Sequence, residues 1–140
     1  MSRFEELAAF QRAMDLVEHI YETTEPFPRS EQYGLTSQIR RAAISVISNI
    51  AEGEGRLTSG EWRQMLSHAR GSLFEVEAQL LAARRLQFID DDTFTRLNVQ
   101  VKKTGAALFG LIRFVRAREN RPIANPRTPE TPNPRNPETP

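Results

Sequence analysis

An all-α fold, four helices packed as a bundle, is what this chain predicts, on three observations. Apolar residues recur every three or four positions through four separate stretches, capping and breaking residues bound those stretches, and 140 residues suit one domain. Residues 33–56 are the most informative stretch. At about 100° per residue, Leu35, Ile39, Ala42, Val46 and Ile50 form one stripe, and Ala43, Ile47, Ala51 and Ile44 continue round from it. Only a narrow polar arc remains, holding Gln38, Arg41, Ser45, Ser48, Asn49 and Glu52, while Arg40 interrupts the apolar side, where its stem can lie on apolar neighbours and its head reach out. A free-standing monomer needs no such width, so a self-associating bundle is expected.

The elements follow in order. Ser2 with Glu5 has capping-box spacing, and helix 1 runs to about Thr24 on Leu7, Phe10, Met14, Val17 and Tyr21, with Ala13 and Ile20 beside them, until Pro26 and Pro28 stop it. Helix 2 ends near Gly53 and Gly55. Thr58 with Glu61 is a second capping box, and Leu57 with Trp62 has the spacing of a hydrophobic staple. Helix 3 carries Trp62, Leu66, Ala69, Leu73, Val76, Leu80 and Ala83 to about Leu86. Asp90 is placed to cap helix 4, Ile89 and Phe94 repeat the staple spacing, and Leu97, Val101, Leu108, Leu111 and Val115 make its seam. Short connections between long helices predict an antiparallel up-down-up-down bundle over residues 1–121. Gly71, Gly105 and Gly110 each cost about 1 kcal/mol inside a helix; close helix approach is the expected reason, and tolerated drift the alternative.

The run QIRRAAISVISNIAEGEGR, with upstream Phe27, Pro28, Glu31, Tyr33, Gly34 and Leu35 and downstream Ala69, Gly71, Ser72, Leu73 and Glu75, resembles the four-helix-bundle proteins of the 23S rRNA intervening-sequence family. The likeness covers roughly residues 4–116. It implies an antiparallel four-helix fold and a ring-like homopentamer. That family is in turn similar to the accessory variability proteins of diversity-generating retroelements, which bind a reverse transcriptase and nucleic acid. The resemblance therefore implies those partners and no established catalytic activity.

From Pro122 the chain changes character. NPRTPETP and NPRNPETP repeat with one difference, and seven of the nine prolines fall between Pro122 and Pro140. Such a stretch lacks packable side chains and free N–H groups, and is expected to be extended and disordered, either as a proline-recognition ligand or as a solvated tail. With no cysteine, disulfides and thiolate metal sites are excluded. The start MSRFEELAAF lacks a signal-peptide pattern and no uncharged stretch is long enough to span a bilayer, so a cytoplasmic protein is expected.

Charge supplies the hint of a partner. The chain is only +1 overall, but residues 1–31 hold three arginines against seven acids, net −4, whereas residues 96–121 hold seven basic residues against Glu119, net +6. Arginine, whose planar fork suits phosphate and carboxylate alike, outnumbers lysine seventeen to two. A nucleic-acid surface on Lys102, Lys103, Arg113 and Arg116, with Arg40 and Arg41, is one reading, repeated round a ring and directed at phosphate because no base-reading motif is present. The other is that Arg113, Arg116 and Arg118 offset the helix dipole while acidic helix 1 pairs with helix 4.

The polar positions Arg41, Ser45, Asn49 and Glu52, with Ser72 and Glu75 of helix 3, carry the same choice. They form a contact surface, or they are structural: Asn49 and Glu52 bonding the Gly53–Arg56 turn, Arg41 pairing with a carboxylate of helix 1 or 3, and Ser72 and Glu75 fixing the packing register. Catalysis has little to stand on. Only His19 and His68 exist, neither in a Glu-x-x-His pair; Asp15 with His19 gives two metal ligands at most; and GEGR (Gly53–Arg56) lacks the strand and lysine of a phosphate loop. The expectation is a non-enzymatic, cofactor-free, homo-oligomeric bundle that binds nucleic acid, with a purely structural or protein-binding module as the rival.

Overall fold

The computed structural model describes residues 7–119. They form four helices, α1 (Ala8–Thr24), α2 (Leu35–Glu54), α3 (Ser59–Arg85) and α4 (Asp91–Glu119), and no strand. Each helix packs on two others, α1 on α2 and α4, and α3 on α2 and α4, so the four enclose one core. Ile20, Ile39, Val46, Ile50, Leu66, Val76, Leu80, Leu108 and Val115 are essentially inaccessible within it.

Local chemistry explains the boundaries. After α1 the Phe27 N–H bonds the Thr24 carbonyl at 3.1 Å, and Phe27 turns inward against Phe88, ring centroids 5.4 Å apart. A short 3₁₀ turn over Arg29–Glu31 follows, and the Glu31 carboxylate accepts the Leu35 N–H at 2.9 Å, capping α2 from outside. Gly34 leaves the room for this, because a Cβ there would lie 2.6 Å from Glu31 Oε2. At α3 the Thr58 hydroxyl accepts from the Glu61 N–H at 3.1 Å as expected, but no staple forms: Leu57 is 97% exposed and Trp62 packs over Gly53 instead. The end of α3 is a Schellman motif, with Phe88 N–H to Ala83 O (2.8 Å) and Gln87 N–H to Arg84 O (3.0 Å). Its left-handed position is filled by Gln87 at φ 63°, the one non-glycine residue with positive φ among those described. Asp90 Oδ1 accepts the Thr93 N–H at 2.7 Å and starts α4, with Ile89 and Phe94 both buried beside it. The Ser2–Glu5 capping box and the residue 122–140 tail lie outside the described residues.

Three expectations are corrected by the packing. The wide apolar face of α2 is largely covered within the chain: Ile39, Ala42, Ala43, Val46 and Ile50 are buried, Leu35, Ile47 and Ala51 half-buried, and only Ile44 is exposed. The α4 seam runs through Thr104 and Ile112, leaving Leu111 half-buried; Thr104 is tolerated because its hydroxyl donates to Gln100 O at 2.8 Å. Close approach explains none of the three helical glycines inside the chain. Added Cβ atoms at Gly71 and Gly110 would meet nothing within 4 Å, and one at Gly105 only Leu73 Cδ2 at 3.5 Å, an ordinary contact.

Candidate functional site

Two surfaces collect the residues singled out from the sequence, one on either flank of α3. On the α4 flank, rotation of about 100° per residue brings Lys102, Phe109, Arg113 and Arg116 into an arc of roughly 60°, with Lys103 about 100° away from Lys102. Lys102 Nζ pairs with Glu77 Oε1 across to α3 at 3.0 Å. Arg113, Arg116 and Lys103 are exposed and form no ion pair with any described residue. Arg113 instead lies over the Phe109 ring at 5.9 Å, Arg118 over Phe114 at 5.7 Å and, on α3, Arg70 over Phe74 at 5.3 Å. At the end of the helix Glu119 is taken by Arg63, at 2.8 Å, and this carboxylate raises the guanidinium pKa first through its hydrogen bond and then through its charge.

Arg40 stands apart from this surface. Its Nε donates to Thr24 Oγ1 at 2.8 Å, Nη2 reaches the Tyr21 carbonyl and the Glu25 carboxylate at 3.3 Å each, and the guanidinium lies 4.5 Å above the Tyr21 ring. It ties the end of α1 to α2 and has little left to offer a ligand. Arg41 points the other way, exposed, with no hydrogen bond or ion pair to any described residue, so the expected pairing with a carboxylate of helix 1 or 3 does not occur.

Arg41 borders the second surface, a cleft of about 390 Å3 between α2 and α3 lined by Gln38, Arg41, Ser45, Ser72, Glu75 and Gln79. Its floor is a hydrogen-bond chain. Ser72 Oγ donates to Ser45 Oγ at 2.8 Å, and Asn49 Nδ2 donates to both Ser45 Oγ (3.0 Å) and Ser45 O (2.8 Å). The Asn49 and Glu52 side chains do not bond backbone groups of the following turn as expected: Asn49 reaches back one turn to Ser45, and Glu52 pairs with the Arg56 side chain at 3.8 Å. Ser72 is buried and joins α3 to α2 through Ser45, whereas Glu75 is exposed beside it. Gln79 Oε1 is enclosed and has no hydrogen-bond partner.

His19 Nδ1 lies 2.6 Å from Gln100 Nε2 of α4, and no group of three or more His, Cys, Asp or Glu side chains able to hold a metal ion occurs among the described residues. No helix of the described residues is long and apolar enough to cross a membrane. The feature that sequence reading missed is the ring set Phe74, Phe109 and Phe114, each more than half exposed and each four residues from an arginine. The spacings Arg70/Phe74, Phe109/Arg113 and Phe114/Arg118 were the available signal.

A crystal structure of a protein of unknown function from the S23 ribosomal protein family of Bacteroides thetaiotaomicron has the same fold, with a TM-score of 0.68 at 18% identity over 76% of this chain and 99% of that one. No curated protein matches the chain. The family model of the 23S rRNA-intervening sequence protein matches residues 5–110, three-quarters of the length, which takes in α1, α2, α3 and α4 as far as Gly110, and the chain belongs to that family.

Proposed function

We propose that this protein is a non-enzymatic, homo-oligomeric nucleic-acid-associated accessory protein that holds RNA or DNA backbone on the α4 strip of Arg113 and Arg116, with Lys102, which also pairs with Glu77, and Lys103 beside them and Arg41 as a separate contact on the other flank of α3. The observation that carries this reading is that Arg113 and Arg116 stand exposed, with no ion-pair partner among the described residues, on a segment of net +6. Cations already ion-paired within a fold contribute little to a ligand; these two are not ion-paired with any described residue. The contacts of Arg63 at the start of α3 with Glu119 at the end of α4, and of Arg40 with the end of α1, support an antiparallel order of helices. A ring-like homopentamer, as the family resemblance implies, would repeat the strip on each subunit and enlarge its field. A reverse transcriptase is the protein partner that the same resemblance suggests.

Phosphate contacts make affinity depend on salt. With about two phosphates neutralised per chain, log K falls against log salt with a slope of roughly −1.8 on a duplex and −1.4 on a single strand. The test is an anisotropy titration of a structured RNA and a matched DNA duplex at two salt concentrations, comparing the native chain with Arg113→Glu/Arg116→Glu. Saturable binding that weakens with salt and collapses in the double variant supports the proposal. An assembled protein with no affinity at low salt would make it a structural or protein-binding module, a reading favoured by one observation: Asp15, Glu18 and Glu22 present an exposed acidic face on α1 that complements α4.

A further inference from the structure

The α3–α4 surface holds more than charge. Between Phe74 and Phe109 runs a groove of about 290 Å3, floored by Leu73, Val101 and Gly105 and rimmed by Arg70, Glu77 and Lys102. The two rings are 56% and 53% exposed. Large apolar side chains are rarely left so open on two facing helices without a partner. Gly105 keeps the floor low, since its missing side chain opens directly onto Leu73.

We infer that this groove receives unpaired bases of a single-stranded nucleic acid, stacked on Phe74 and Phe109 while Arg70, Lys102, Arg113 and Arg116 hold the flanking phosphates. This rests on the nucleic-acid reading above and narrows it. Exposed rings set within a basic strip are the combination that binds single strands, because every base has a flat face to stack, whereas the bases of a duplex are already stacked on each other and out of reach. Arg70 and Arg113 lie over one face of their rings, 5.3 and 5.9 Å from the centroids, so a base stacks on the other face with a cation close by.

A second copy of the chain fits this surface less well. A like-to-like contact would set Arg70, Arg113 and Arg116 against themselves. The acidic face of α1 would match in charge but offers one large exposed apolar residue, Tyr21, already covered by Arg40. It has nothing with which to bury two phenylalanines.

The experiment compares a fluorescein-labelled 12-nucleotide uridine strand with a 12-base-pair RNA duplex, binding the full-length protein at low salt, and a strand carrying 2-aminopurine, whose emission falls on stacking. The expected result is about tenfold or more preference for the single strand, with quenching. In Phe74→Ala/Phe109→Ala, and in Gly105→Leu, which fills the groove and keeps both rings, the preference and the quenching disappear while duplex affinity stays within about twofold. Stacking on aromatic residues is worth roughly five- to a hundredfold per base, so the loss is measurable. Duplex binding with no single-strand preference overturns this inference and leaves the phosphate-binding proposal standing. A smaller assembly by light scattering in either variant, with single-strand binding intact, also overturns it and assigns the groove to a second copy. No binding of either nucleic acid by the native chain overturns both.

Discussion

Gly53 lies directly beneath Trp62: a Cβ at position 53 would stand 2.7 Å from Trp62 Cδ1 and 3.3 Å from Met65 Cβ. The last turn of α2 thus meets the first turns of α3 without a side chain between them, and Trp62 in turn sets its edge against the Phe114 ring of α4, centroids 6.5 Å apart. One glycine in the AEGEGR segment allows three helices to meet at this end of the molecule.

Alanine at the helical glycines separates packing from propensity. Gly53→Ala gains up to about 1 kcal/mol of helix propensity but forces Trp62 and Met65 apart, at a cost of about 1–3 kcal/mol, so the net change is destabilising. Gly71→Ala and Gly110→Ala meet no neighbour and should each stabilise by up to about 1 kcal/mol. Urea unfolding followed by far-ultraviolet circular dichroism measures all three, and a more stable Gly53→Ala chain would contradict the close approach at Trp62.

Gln87 holds the left-handed position of the α3 Schellman motif at φ 63°. An L side chain there costs about 1–2 kcal/mol, and glycine returns part of that gain through its greater freedom when unfolded. Gln87→Gly should therefore raise stability by about 0.5–1 kcal/mol, seen as a higher urea midpoint with an unchanged slope.

Arg40 and Arg41 are adjacent in sequence and opposite in role. Arg40→Ala removes the bond to the buried Thr24 hydroxyl and the cover over Tyr21, and should cost about 1–2 kcal/mol. Arg41→Ala touches no described partner and should stay within about 0.5 kcal/mol of the native chain while weakening nucleic-acid binding. Equal losses of stability would place Arg41 in the fold instead of at its surface.

Helix number, order and most boundaries were legible because they depend on local chemistry: Pro26 and Pro28 end α1, and the side chains of Thr58 and Asp90 cap α3 and α4 within three residues of themselves. What failed depends on which surfaces meet. Leu57 has staple spacing, but Trp62 already has a partner in Gly53, so Leu57 stays in solvent. The breadth of α2 suggested a surface for other subunits, yet flanking helices on both sides cover most of it. The Glu31 cap was invisible because it works across a turn that no periodicity marks. The candidate groove was missed for the same reason: Phe74 and Phe109 sit in different helices, and spacing along one helix does not say which residues of another face it. Within α4, by contrast, charge and spacing alone place Lys102, Arg113 and Arg116 in one arc of the helix.

The cap of α4 should make the protein acid-sensitive in a defined direction. The Thr93 backbone N–H, and next its hydroxyl, hold the Asp90 carboxyl below the usual carboxylate range, with Arg96 adding a smaller push the same way. A group whose pKa is lower in the folded chain binds its proton more tightly when unfolded, so its contribution is complete above the unfolded carboxylate value and vanishes as pH falls through the folded one. Asp90 is exposed, so the effect is a modest fall in melting temperature as pH drops below about 4. Asp90→Asn keeps an acceptor at the N-cap and removes the titration, and asparagine caps about as well as aspartate. Its melting temperature should lie close to the native value at pH 7 and fall less on acidification, whereas parallel curves for the two chains would show that Asp90 contributes nothing to the acid limb.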